Sequence, residues 1–168
     1  MLPADDFDDF YLAPRDRLVA SLAVLVGDVH LAGDAADEAF ERALVRWPRV
    51  SRMQSPAGWT YRVALNVARR QARRRAMESR LLHRVPSTAA LPLEVIEICE
   101  ILDHLPPRQR AAMTLRVLGD LTESDIATAL GVSRTTVQSA LADARRNLTA
   151  VVAESIEGSN HGNHPREG

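Results

Sequence analysis

The chain has 168 residues, 46% of them apolar but only 4% aromatic, and a net charge of −1. That length suits one medium domain or two small ones, with a core built from Ala, Leu and Val. A single cysteine, Cys99, excludes an internal disulfide, no apolar run approaches the roughly 20 residues needed to span a bilayer, and no alternating run persists long enough to read as a strand.

An all-α protein is expected: two small helical domains joined by a flexible linker. The N-terminus, MLPADDFDDF, lacks the positive-then-apolar layout of a signal peptide, so a cytoplasmic protein without membrane insertion is expected. Charge is segregated. Residues 1–40 carry nine acids against Arg15 and Arg17, whereas residues 62–84 carry eight arginines and one acid, Glu78. Such asymmetry suggests separate partners for separate faces, one of them a polyanion. Every basic side chain is Arg and none is Lys, so each cation is a planar fork suited to phosphate or base edges.

Residues 5–77 read as three helices. Phe7, Phe10, Leu18, Leu22 and Leu25 mark the first, with Pro14 as a kink or break. Ala36, Ala39, Phe40, Ala43, Leu44 and Trp47 recur at three- and four-residue steps and mark the second, with Pro48 expected to end it. The third opens at Ser55-Pro56, an N-cap followed by proline at the first helical position. Its expected apolar face is Trp59, Val63 and Val67 with Ala64 and Ala68. The helix continues into a basic run, ARRQARRR, and a helix with one apolar face and a basic remainder can lie along a phosphate backbone. A membrane-surface helix is the rival reading, disfavoured because the apolar face is Val and Ala rather than bulky Leu, Phe or Trp. On periodicity alone Trp59 fits a core position better than a nucleic-acid platform, yet an aromatic with positive neighbours also suits stacking on unpaired bases.

Residues 78–93, with Pro86, Ser87, Thr88 and Pro92, read as the linker. Residues 94–153 are helical again: Ile98, Ile101, Leu102 and Leu105 mark one helix, and Pro106-Pro107 opens the next. Residues 154–168 offer little to bury and read as a disordered tail.

The densest signal is LTESDIATALGVSRTTVQSALADARRNL, from Leu121 to Leu148. Thr122 can cap a helix, with Asp125 in a capping-box-like position. Ile126, Ala127 and Leu130 form its inner face. Gly131 follows where a left-handed residue must end the helix. Val132 is expected to plug the corner, and Ser133 to cap a second helix with inner face Val137, Leu141, Ala144 and Leu148. This is a helix-turn-helix pattern, whose second helix enters the major groove at its start. Arg134, Thr135, Thr136, Gln138 and Ser139 become candidates for base or phosphate contact. Arg145 and Arg146, further along, suit backbone contact.

No metal-ligand cluster, Gly-rich phosphate loop or nucleophile–base pairing is legible. His161 and His164 lie in the Gly/Asn tail, and His30, His83 and His104 are scattered. Neither catalysis nor a cofactor or metal is expected.

Order and spacing of the two basic elements carry a resemblance. The chain resembles the extracytoplasmic-function (ECF) class of the sigma-70 family, over nearly all of residues 5–152. The most specific match is LPPRQRAAMTLRVLGDLTESDIATALGVSRTTVQSALADARRNL, similar to the family's region 4, because the Leu105-Pro106-Pro107-Arg108 lead-in is not general to helix-turn-helix proteins. Asp34 to Leu44 looks like the region 2 helix that docks on the polymerase clamp, and Ser55 to Arg75 like the helix that reads the −10 element. The resemblance implies an alternative sigma factor with core RNA polymerase as partner, through its β′ clamp and β flap, together with promoter DNA and an anti-sigma factor. It implies polymerase binding by Asp37, Glu38, Phe40, Glu41, Arg42, Leu44 and Trp47. It assigns −10 recognition to Trp59, Tyr61, Arg62, Asn66, Arg69, Arg70, Arg73 and Arg74, and −35 recognition to the helix-turn-helix residues above. Gln138, Ala140 and Asp143 stand where relatives often have basic residues, leaving this recognition helix poor in charge. The competing reading is a helix-turn-helix transcriptional regulator that never binds core polymerase.

Overall fold

The computed structural model describes residues 4–12, 14–79 and 91–160. Among them the elements are all helical: α1 (Ala4–Leu12), α2 (Pro14–Val26), α3 (Val29–Val45), α4 (Trp47–Val50), α5 (Pro56–Ser79), α6 (Leu93–Leu102), α7 (Pro107–Val117), α8 (Glu123–Leu130) and α9 (Arg134–Asn160).

Capping chemistry sets the boundaries. Asp28 begins α3 by accepting the Leu31 amide at 2.9 Å, a cap that periodicity does not reveal. Ser55 begins α5 by accepting the Gly58 amide at 3.0 Å. Thr122 and Asp125 make a full capping box at α8, and Ser133 accepts the Thr136 amide at the start of α9. Gly131 ends α8 at φ +68°, the left-handed conformation that costs a side-chain-bearing residue but not glycine.

α3 lies between α2 and α5. Leu31, Ala32, Ala35, Ala36, Ala39, Phe40 and Ala43 form its buried stripe. Alanine at five of those seven positions lets the neighbouring helix backbones approach closely, which is how a core with so few aromatics fills its space. Five of the seven aromatics gather at one end: Phe7 meets Trp47 edge-on at 5.2 Å, and Tyr11 meets Phe40 edge-on at 5.0 Å. In the second half α9 packs on α7 and α8, through buried Leu115, Ile126, Val137, Leu141 and Ala144.

Several expectations need correcting. The second predicted helix starts earlier, at Val29, and stops at Val45; Pro48 sits instead in the first turn of the short α4, where its missing N–H is harmless. The buried face of α5 is Tyr61, Ala64, Leu65, Val67 and Ala68, with Trp59 and Val63 only half-buried. Val132 does not plug the helix-turn-helix corner but is 41% exposed, and Ile101 is 51% exposed. α9 runs to Asn160, past the start of the expected tail, whose histidines lie outside the described residues. So does most of the expected linker.

The two halves pack against each other: α5 packs along α8, and α2 touches α7. One continuous core runs through both halves.

Candidate nucleic-acid interface

The candidate residues fall on three faces. The first is the outer side of α3. Leu44 is 54% exposed and Val45 76%, beside a shallow groove lined by Asp34, Asp37, Glu38, Glu41, Arg42, Val45 and Arg46. Exposed aliphatics ringed by charge are a composition that suits protein docking. Asp37 accepts two hydrogen bonds from the Arg15 guanidinium, at 2.7 and 2.9 Å, and Glu38 accepts one from Arg42. Phe40 and Trp47 are placed differently from their expected docking role: both are buried in the aromatic cluster, where they shape α3 from beneath.

The second face runs along α5. Arg62, Asn66, Arg69, Arg70 and Arg73 are all exposed, and their three- and four-residue spacing puts them on one side of the helix. Asn66, Arg69, Arg70 and Arg73 share a cleft of about 370 Å³ with Arg42. Arg74 instead pairs with Glu78 at 3.2 Å, and Arg75 with Asp28 at 3.0 Å. The cleft is lined by four arginines and one asparagine, a positively charged groove of the kind that can track a nucleic-acid backbone.

Tyr61, a candidate for base stacking, is off this groove, on the buried face of the helix, and 2% exposed. Its hydroxyl donates a long hydrogen bond of 3.5 Å to the Gly119 carbonyl, in the other half of the chain. Burial raises the Tyr61 pKa from the usual 10 to about 12, the Ser21 hydroxyl and Arg17 opposing. The folded state therefore holds its phenolic proton more tightly than the unfolded one. This contribution is fully present below pH 10 and falls away as pH rises from 10 toward 12, about 2–3 kcal/mol in all. Urea midpoints measured from pH 9 to 11.5 are expected to fall for the native chain, and Tyr61→Phe to remove most of that slope.

The third face is the start of α9. Arg134, Thr135, Thr136, Gln138 and Ser139 are exposed, as are Arg145 and Arg146. Several of these side chains are already engaged: Arg134 Nε and Gln138 Nε2 both donate to Glu123 Oε2, at 3.2 and 2.9 Å, and the Thr136 hydroxyl is hydrogen-bonded to that of Ser133 at 2.8 Å. The two hydrogen bonds to Glu123, Gln138's first, hold its carboxyl below the ordinary pKa. Glu123 was absent from the sequence-based candidates; its place in the first turn of α8, facing the first turn of α9, is the signal that could have found it. Asp143, further along this helix, is paired with Arg146.

Among the described residues no group of His, Cys, Asp or Glu is arranged to hold a metal ion. Among the same residues no helix is long and apolar enough to cross a membrane.

Comparison with known proteins fits this layout. Residues 11–77 match the model of Sigma-70 region 2, and residues 96–148 that of Sigma-70, region 4. The chain is similar to the RNA polymerase sigma-E factor of Streptomyces coelicolor, at 27% identity over 86% of this chain and 87% of the relative. It is also similar to the sigma-E factor of Streptomyces avermitilis, at 26% over 81% and 79%. In fold it is similar to the sigma factor RpoE of Bartonella quintana, crystallised in complex with the anti-sigma factor NepR. The TM-score there is 0.70 and the identity 21%, over 89% of this chain and 98% of that one.

Proposed function

This chain belongs to the sigma-70 family, and we propose that it works as an alternative sigma factor, binding core RNA polymerase and directing it to particular promoters. The observation that carries this is the co-occurrence, in order, of regions 2 and 4 in one short chain. A regulator acting through its helix-turn-helix alone has no use for a docking face on α3 and an arginine track on α5.

The three faces divide the work. Leu44 and Val45, framed by Asp37, Glu38, Glu41 and Arg42, dock on the polymerase β′ clamp, with Phe40 and Trp47 holding the shape from below; the β flap is the second contact on core. Trp59, Tyr61 and Arg62 take a flipped base at the −10 element, and Asn66, Arg69, Arg70, Arg73 and Arg74 hold the melted strand. Flipping costs a few kcal/mol, which stacking and phosphate contacts must offset. Arg134, Thr135, Thr136, Gln138 and Ser139 read the −35 element as duplex through the major groove, with Arg145 and Arg146 on its backbone. The chain performs no chemistry of its own; bond formation stays with the polymerase, in the cytoplasm. An anti-sigma factor is the natural regulator.

The test is in-vitro transcription with core polymerase and genomic template. Promoter-dependent transcripts are expected, and failure to bind core at all would return the reading to a simple DNA-binding regulator. Leu44→Asp puts a charge in the centre of the docking face. It is expected to weaken core binding by about 2 kcal/mol or more, roughly thirtyfold, measured by co-purification or fluorescence titration, while leaving the melting temperature near the native value because Leu44 is exposed.

A further inference from the structure

Gln138 is exposed on the second turn of α9, and its side chain is neutral. It can add to DNA recognition through the direction of its hydrogen bonds, not through charge. What fixes that direction lies on another helix. Gln138 Nε2 donates to Glu123 Oε2 at 2.9 Å, across 15 residues of sequence. Arg134 Nε donates to the same oxygen at 3.2 Å.

The frame around this contact is firm. Glu123 is the first residue of α8, inside the Thr122–Asp125 capping box. Gly131 makes the turn at φ +68°, and Ser133 accepts the Thr136 amide at the start of α9. Ile126, Val137 and Leu141 are buried beneath. Caps and core therefore set the distance between the two helices that carry Glu123 and Gln138. The Glu123 side chain is 33% exposed and that of Arg134 66%, so the carboxylate is the inner support and the guanidinium lies further out.

An ionised carboxylate only accepts hydrogen bonds. The bonds from Gln138 and then Arg134 lower the Glu123 pKa, so it is ionised at neutral pH. The Gln138 amide must therefore turn its nitrogen, not its carbonyl oxygen, toward Glu123. One N–H is used there; one N–H and the carbonyl oxygen are left. In the major groove adenine offers an acceptor at N7 beside a donor at N6, which that pair matches. Guanine offers two acceptors, N7 and O6. An unanchored amide can give both of its N–H groups to guanine. The anchored one has a single N–H left, and its carbonyl oxygen would face a second acceptor. One constraint thus favours adenine and disfavours guanine. Arg134 uses one of its five donors on Glu123 and keeps the others for phosphate.

We propose that Glu123 is a positioning residue for promoter recognition: it orients the Gln138 amide so that α9 selects adenine over guanine at one position of the duplex it reads. This rests on the sigma-factor reading above, in which the start of α9 enters the major groove of the −35 element. It adds a base preference and the residue that sets it. Because the amide is ordered before DNA arrives, less side-chain freedom is lost on binding.

The test uses the full chain assembled with core polymerase and a pool of duplex DNA carrying a randomised stretch, with the bound molecules sequenced. Single-base variants of the selected duplex are then titrated by fluorescence anisotropy. The position read by Gln138 is the one whose preference Gln138→Ala abolishes. There the native chain is expected to favour adenine over guanine by about tenfold. Glu123→Gln keeps the size of the side chain but can turn either an oxygen or a nitrogen to Gln138. It is expected to cut that ratio to about twofold, with preferences at other positions and the melting temperature near native. Loss of the negative charge alone would instead change affinity for every duplex alike. In a Gln138→Ala background the same substitution is expected to alter no base preference, the signature of two residues acting as one unit. A native adenine-to-guanine ratio in Glu123→Gln would overturn the positioning role while leaving the sigma reading intact. So would preference for another base at the Gln138 position, or a Gln138→Ala chain that keeps every preference. A native chain that neither binds core nor selects any duplex would overturn that reading, and the positioning role with it.

Discussion

Ile126→Ala is expected to cost about 2–5 kcal/mol of stability, the range for truncating a fully buried aliphatic side chain. Ile126 is completely buried on α8, which packs against α5, α7 and α9. Its side chain thus lies under the helix-turn-helix and close to the contact between halves. The cost combines lost transfer free energy with the cavity left among α-helices whose backbones are fixed by their caps. Domains of this size are stable by only about 5–15 kcal/mol, so a large part of the margin goes. Urea unfolding followed by circular dichroism should show the midpoint falling, and duplex DNA binding should be lost at a lower denaturant concentration than in the native chain. A loss below 1 kcal/mol would mean that α8 is not anchored through this residue.

The second large effect is expected from Arg70→Glu and Arg73→Glu, each made singly. Both arginines are exposed and share the basic cleft beside α3. Arg70 has only a loose pairing, at 3.8 Å, with Glu38; exposed pairs of that kind contribute little to folding, so the fold should persist. Reversing either charge removes a phosphate contact and sets an acid against the strand. For single-stranded DNA each lost contact lowers the slope of log affinity against log salt by about 0.7. Open-complex formation, read by permanganate reactivity of unpaired thymines, should fall about tenfold or more, with core binding changed far less. Equal loss of both would instead give these arginines a role in docking.

Much of the local structure was legible because it is written in short-range chemistry. Ser55-Pro56, Thr122 with Asp125, Gly131 and Ser133 each announce a helix end through a hydrogen bond or backbone conformation that only a few residue types supply. The exposed α9 residues followed from the same register. What the pattern missed depends on partners far along the chain. Tyr61 faces inward toward Gly119 of the other half, in register with Ala64, Leu65 and Ala68, a stripe that competes within α5 with the one through Trp59 and Val63. Gly58 was the available clue: a glycine in the first turn of a strong helix pattern signals a close backbone approach. Phe40 and Trp47 were legible as apolar periodic positions but not as parts of an aromatic cluster completed by α1. Glu123 escaped because its partners, Arg134 and Gln138, become neighbours only once Gly131 has turned the chain.

α5 also acts as a ruler. From Trp59 to Arg73 is fourteen residues, about 21 Å along a helix axis, so on the proposed division of labour the distance between the base-receiving end and the arginines that hold the strand is fixed by one unbroken helix. The angular phase is fixed as well, because each residue turns the helix by about 100°. Adding or deleting one residue between Val67 and Arg69 would leave every arginine present yet swing the whole downstream set away from the strand. For this segment, composition can drift in evolution more readily than length.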